Sequence, residues 1–122
     1  SIGTMAIASI EWVYQYLGLD FSYRKSSMIS PETQGLDRSD RLIAITKALS
    51  NSVYVNSPGG RELYSDDYFS RREIDLFFVD SQMKAYPQGK GPFIAGLSII
   101  DVLMWNDVGS VKALMSDFCL SK

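Results

Sequence analysis

At 122 residues, with a formal net charge of −2, 46% hydrophobic and 21% charged residues, the chain has the make-up of one soluble domain able to build its own core. Histidine is absent and cysteine occurs once. Together these exclude Ser-His-Asp and Cys-His chemistry, histidine-ligated zinc, an intrachain disulfide and any cysteine-based metal site.

Residues 5 to 17 place Met5, Ile7, Ile10, Val13, Tyr14 and Leu17 near one face of a helix, with Thr4 as N-cap and Gly18 as stop. "DFSYRKS" reads as a short strand ending at Ser26-Ser27, and "SMISPETQG" as a polar loop. "DRSDRLIAITKAL" is a second helix, capped by Asp37 and burying Leu42, Ile45 and Leu49. "SVYVN" is a β-branched and aromatic strand. It runs into "NSPGGR", and "SDDYFSRR" then makes a short helix with its acids at the N-terminal end. "EIDLFFV" is a strand whose apolar run suggests burial on both faces. A Pro/Gly-punctuated loop, "DSQMKAYPQGKGPFIAG", leads to two closing helices, "LSIIDVLMWN" and "VGSVKALMSDF". Cys119, near the end, reads as a small buried hydrophobe.

This order predicts a single α/β domain over 1–122: a small, mostly parallel sheet flanked by helices. The chain opens at Ser1 directly on a helix, as the carboxyl-terminal half of a larger α/β fold would. The low net charge, and an Arg71-Arg72 pair surrounded by Asp66, Asp67, Glu73 and Asp75, argue against nucleic acid as a partner. No apolar run is long enough for a membrane span and no signal peptide is visible, so the default location is cytoplasmic. No metal is called for, since Asp66-Asp67 and Asp37/Asp40 occupy helix starts. The cofactor is unspecified.

Without histidine, acid-base groups must be Asp, Glu, Lys, Tyr or a substrate group. Two stretches stand out as candidates for ligand binding or acid-base chemistry. If the strand at 53–56 is parallel to its neighbour, "NSPGGR" lies beyond its carboxyl end, where open α/β sheets place ligand crevices. Gly59 and Gly60 would allow close backbone approach or positive φ, exposed N–H groups could hold an anion, and Arg61 offers a fork for phosphate or carboxylate. Asn56 and Ser57 could bond a sugar or amide. The same residues also make an ordinary turn with a surface arginine. In "LSIID", Ser98 and Asp101 have capping-box spacing, with Asp101 answering the Ser98 N–H. Alternatively, Asp101 among Ile99, Ile100, Val102 and Leu103 is a partly desolvated acid or base. Tyr86 and Gln88 in "AYPQG", and Ser26-Ser27 in "RKSSM", are further rim candidates.

"YVNSPGGRELY", "YPQG…F" and above all "LSIIDVLMWN" resemble the WbqC-like protein family, as does the opening "EWVYQYLGLDF…SSM". Trp105 stands where members of that family often carry Phe, and the His-Gln-Pro segment typical of their beginning is absent. The resemblance implies a bacterial cytoplasmic protein of surface-polysaccharide (O-antigen) biosynthesis. Its role would be a transferase that modifies an amino sugar with an amino-acid or acyl group. By position it implies a substrate site of Asn56, Gly59, Gly60, Arg61, Tyr64, Tyr86, Gln88, Ser98 and Asn106, with Asp101 as the candidate base. The substrate would be a small molecule such as a nucleotide-linked amino sugar. The rival reading is a non-catalytic binding or assembly module, or an inactive fragment. In it, Tyr64, Tyr68 and Trp105 form a surface for a second copy or for polysaccharide-synthesis enzymes.

Overall fold

In the computed structural model, which describes all of residues 1–122, the opening segment folds as helix α1, Ile2–Tyr16. It begins earlier than Thr4: the Ser1 side chain is the N-cap and accepts from the Thr4 N–H. Gly18 stops it as its sequence predicts. The residue takes φ +62°, and the Gly18 and Leu19 N–H groups return to the Gln15 and Tyr14 carbonyls at 3.0 and 2.9 Å. Of the predicted apolar face, Leu17 is buried and Ile7, Val13 and Tyr14 are half-buried, but Met5 and Ile10 are exposed.

The segment predicted as the first strand, 20–26, joins no ladder. Residues 19–25 run irregularly into a four-residue helix, α2, Ser26–Ile29, and a 3₁₀ turn, Pro31–Thr33. Strand propensity marks residues that fit a pleated surface, and it forms a strand only where a partner edge is free. The sheet's third strand comes instead from the chain's last residues. "VGSVKALMSDF" is helical only in part.

Helix α3, Arg38–Ala48, is capped by Asp37, which accepts from the Ser39 N–H. Its buried positions are Ile43 and Thr46, whereas Leu42 and Ile45 are half-buried and Leu49 is exposed, so the core face is rotated by about one residue from the predicted stripe. The Thr46 hydroxyl makes this tolerable by donating to the Leu42 carbonyl at 2.8 Å. Strand β1, Val53–Asn56, follows, then the 3₁₀ turn Pro58–Gly60 and helix α4, Asp66–Ser70, whose N-cap is Ser65. Strand β2 is Asp75–Ser81; α5, Ile99–Trp105, and α6, Val108–Met115, come next. Strand β3, Phe118–Ser121, ends the order.

The chain falls into two compact units. One is Ser1–Ser22 with Gln82–Asp117; the other is Tyr23–Ser81 with Phe118–Lys122. The second holds the sheet, ordered β1-β2-β3. β1 and β2 are parallel, with Val53 opposite Asp75 and Asn56 opposite Phe78. β2 and β3 are antiparallel, Phe78 opposite Ser121. The architecture is therefore a small α/β fold with a mixed sheet flanked by helices. Ile43, Phe69, Ile74, Leu76 and Phe78 form its core, with Leu42, Tyr54, Tyr64 and Tyr68 packed against it. β2 is buried on one face only: Leu76 and Phe78 point into the core while Phe77 and Val79 are half-buried. Cys119 is an exposed free thiol rather than a buried hydrophobe, because β3 is an edge strand exposed along most of its length. No helix is long and apolar enough to cross a membrane.

Candidate functional site

The residues singled out in the sequence divide between the two units. In the sheet unit, "NSPGGR" follows the carboxyl end of a strand in a parallel pair, as the topology argument requires. Its backbone is occupied internally. The Gly60 N–H donates to the Ser57 carbonyl and the Arg61 N–H to the Pro58 carbonyl, while the Ser57 N–H donates to Asn56 Oδ1 at 2.7 Å. Neither Gly59 nor Gly60 has positive φ. The need for glycine at 60 is steric: a Cβ there would lie 2.9 Å from Asn56 Nδ2 and 3.3 Å from Phe78 Cε1. Gly59 faces open space.

Arg61 leaves the turn across the face of Phe78, 4.5 Å from the ring centroid, and meets Asp80 at 3.0 Å. Its guanidinium also donates to Ser121 Oγ and, at 2.6 Å, to the Lys122 main-chain oxygen. Ser121 in turn bonds Asp80. That hydrogen bond, followed by Arg61, holds the Asp80 carboxyl below the ordinary carboxylate range. Tyr64 packs edge-on against Tyr54 and Phe69. Tyr68 donates to Asp40 at 2.6 Å and lies beneath Arg72. Both tyrosines are half-buried; of the three aromatics proposed as a docking surface, Trp105 alone is exposed.

The helical unit gathers the other group. Ser98 caps α5, accepting from the Ile100 N–H at 3.3 Å. Asp101 does not complete a capping box: its Oδ2 accepts from the Tyr86 hydroxyl at 2.7 Å and from Gln88 Nε2 at 3.1 Å. Gln88 also grips Ile94 in both directions, Nε2 to the carbonyl at 3.0 Å and Oε1 from the N–H at 2.7 Å. Tyr86 stacks edge-on with Phe93, and Gly89, at φ +86°, lies close to Trp105. The long "YPQGKGPFI" loop is thus closed on itself and fastened to α5 through one carboxylate oxygen. Partial burial, and then the bond to Asp101, push the Tyr86 hydroxyl above its usual range, so it remains a neutral donor at ordinary pH.

The second oxygen, Asp101 Oδ1, makes no hydrogen bond and is not sealed from solvent. A half-buried carboxylate fixed at one oxygen and open at the other is a suitable proton acceptor. Asn106, at the far end of α5, donates to the Val102 carbonyl at 2.9 Å and acts as a C-terminal tie. No group of three or more Asp, Glu or Cys side chains is placed to hold a metal.

The family model for the WbqC-like protein family matches residues 1–113, which include every residue of both groups except Ser121 and Lys122. The chain belongs to the WbqC-like protein family. No curated protein matches this WbqC-like chain, and neither does any solved structure. The Tyr86–Asp101–Gln88 hydrogen bonds join two separate sequence segments into one constellation, a pairing that spacings of 15 and 13 residues could not announce. The Asp80–Ser121 partnership of Arg61 was equally invisible, because Ser121 lies 60 residues away along the chain.

Proposed function

We propose that this WbqC-like chain serves a transferase of bacterial surface-polysaccharide (O-antigen) biosynthesis, placing an amino-acid or acyl group on the amino group of an amino sugar. The observation that carries this reading is the Asp101 carboxylate, anchored at Oδ2 by Tyr86 and Gln88 and open at Oδ1. Oδ1 accepts a proton from the sugar nitrogen as that nitrogen attacks the carbonyl carbon of an activated acyl donor. The new bond is the amide C–N bond. The bond that breaks joins the acyl carbon to its leaving group, which departs with the electron pair. Tyr86 and Gln88 position the base, and Ser98 fixes the helix start from which it projects. We assign Arg61, Asn56 and Gly60 a structural role, since Arg61 already has a carboxylate partner and Gly60 packs against Asn56.

The test is a mass-spectrometric transfer assay with nucleotide-linked amino sugars and activated amino-acid or acyl donors, run on wild type and Asp101→Asn. Product formed by wild type and reduced by about 10²–10⁴-fold in the variant is the outcome for a general base. Equal product from both removes Asp101 from the chemistry.

A second reading, as an assembly module, has its own observation. Ile2, Met5, Trp12 and Tyr16 on α1 and Ile100 and Met104 on α5 are all exposed. An apolar groove of about 630 Å³ lies among Ile10, Trp12, Val13, Ile99, Ile100 and Met115. Light-scattering mass after size exclusion separates the two readings: a monomer at micromolar concentration with no partner counts against the module.

A further inference from the structure

Arg61 was the cation that the sequence offered for an anionic ligand, and it is compensated by Asp80. The same holds for Arg71 with Asp67, Arg72 with Asp40, Lys84 with Asp117 and Lys122 with Asp75. Arg24 and Lys25 have no such partner. They are adjacent and exposed, their side chains make no ion pair or hydrogen bond, and they line one cleft of about 640 Å³ with Tyr23, Met28 and Ile29. Arg38, Arg41, Lys47, Lys90 and Lys112 also lack carboxylate partners, but none of them lines this cleft, the apolar groove or the small acidic hollow at Ser70–Asp75.

We propose that the Tyr23–Ile29 cleft binds the diphosphate of a nucleoside diphosphate or a nucleotide-linked sugar. Concentrated positive charge in a concave site is what a diphosphate needs. The guanidinium of Arg24 supplies paired donors for phosphate oxygens, and the Lys25 ammonium a compact second charge. Tyr23, about half exposed, adds an aromatic ring to the lining against which a planar base would pack, and Met28 and Ile29 add apolar side chains. The volume lies within the range of small-molecule sites. The segment that reads as a strand yet joins no sheet has Tyr23, Arg24 and Lys25 along this cleft.

The inference deepens the transferase reading, because a nucleotide-linked amino sugar carries this diphosphate, but its test needs no turnover. Calorimetry of the full chain with UDP and with inorganic pyrophosphate is compared among wild type, Arg24→Gln/Lys25→Gln, Tyr23→Ala and a charge-matched control, Lys47→Gln/Lys112→Gln. Wild type is expected to bind UDP more tightly than pyrophosphate, and to bind both more weakly as salt rises. The Arg24/Lys25 variant should lose at least about tenfold in affinity for both, the size of one charge-assisted contact. Tyr23→Ala should lose only the preference for UDP, and the control should match wild type. Circular dichroism confirms that each variant is folded. Failure of wild type to bind UDP, unchanged UDP affinity in the Arg24/Lys25 variant, or an equal loss in the control each overturns the proposal. None of these outcomes bears on whether Asp101 is the base, which the transfer assay decides separately.

Discussion

Two carboxylates in this protein sit in hydrogen-bonded clusters of similar size and face opposite kinds of partner. Asp80, at the end of β2, faces a guanidinium and a hydroxyl; its charge is matched and its neighbours are the edges of a closed core. Asp101, on α5, faces only neutral donors, the Tyr86 hydroxyl and the Gln88 amide, and one of its oxygens is left without a partner. A matched ion pair of this kind contributes structure. A carboxylate held only by neutral groups has no cation matched to it, which is why Asp101 and not Asp80 is proposed as the base. The sequence offered Arg61 in the first cluster and Tyr86, Gln88 and Asp101 in the second as candidates, and the nature of the partner is what separates them.

The sheet cluster should fail through stability. Phe78 is buried beneath Arg61 and beside Gly60, so Phe78→Ala should cost about 3–5 kcal/mol, read as a lower denaturant midpoint. Gly60→Ala should cost about 1–3 kcal/mol through overpacking against Asn56 and Phe78. Gly59→Ala, whose Cβ meets nothing, should be neutral or stabilise by about 0.4–1 kcal/mol through the unfolded chain. If the two glycine variants behaved alike, the steric account of the turn would fail. In the helical cluster, Gln88→Ala should cost only about 1 kcal/mol while making the 86–94 loop more susceptible to protease.

Acid and alkali should separate the clusters further. Asp80 has a folded pKa below its ordinary value of 3.8. Its contribution is therefore present above that value and is lost as pH falls through the folded pKa; Asp80→Asn should flatten this part of the acid limb in a thermal-melt series. Tyr86 has a folded pKa above its ordinary 10.0. Its contribution is present below 10.0 and disappears as pH rises through the folded pKa, so Tyr86→Phe should flatten part of the alkaline limb and leave the acid limb unchanged.

Local signals were legible where they act locally. The Gly18 stop, the Asp37 cap and the Ser98 cap each depend on a few adjacent residues, and each is found where it was read. Strand pairing is not local. "DFSYRKS" and "FCLS" both alternate well enough to be strands, yet only the second pairs, along β2, and no window of sequence contains that choice. The exposed Cys119 follows from the same unread pairing. For the site, residue types were legible but partners were not. Asp101 had an i,i+3 explanation in Ser98, and its actual contacts come from a loop 13 and 15 residues upstream. Arg61 has Glu62 beside it in the sequence, yet its partner is Asp80, which reaches it only through the sheet.

The most direct measurement pairs Asp101→Asn with Asp80→Asn, scoring acyl transfer and thermal midpoint for both in one series. Asparagine keeps an oxygen to accept from Tyr86 and Gln88, so the Asp101 variant should retain its midpoint to within a few degrees and lose at least about a hundredfold in turnover. The Asp80 variant should show the reverse, a lowered midpoint with turnover preserved in the folded fraction. Full turnover in Asp101→Asn, or a midpoint that collapses with it, would contradict the assignment of Asp101 as the open base and place it with Asp80 among the structural carboxylates.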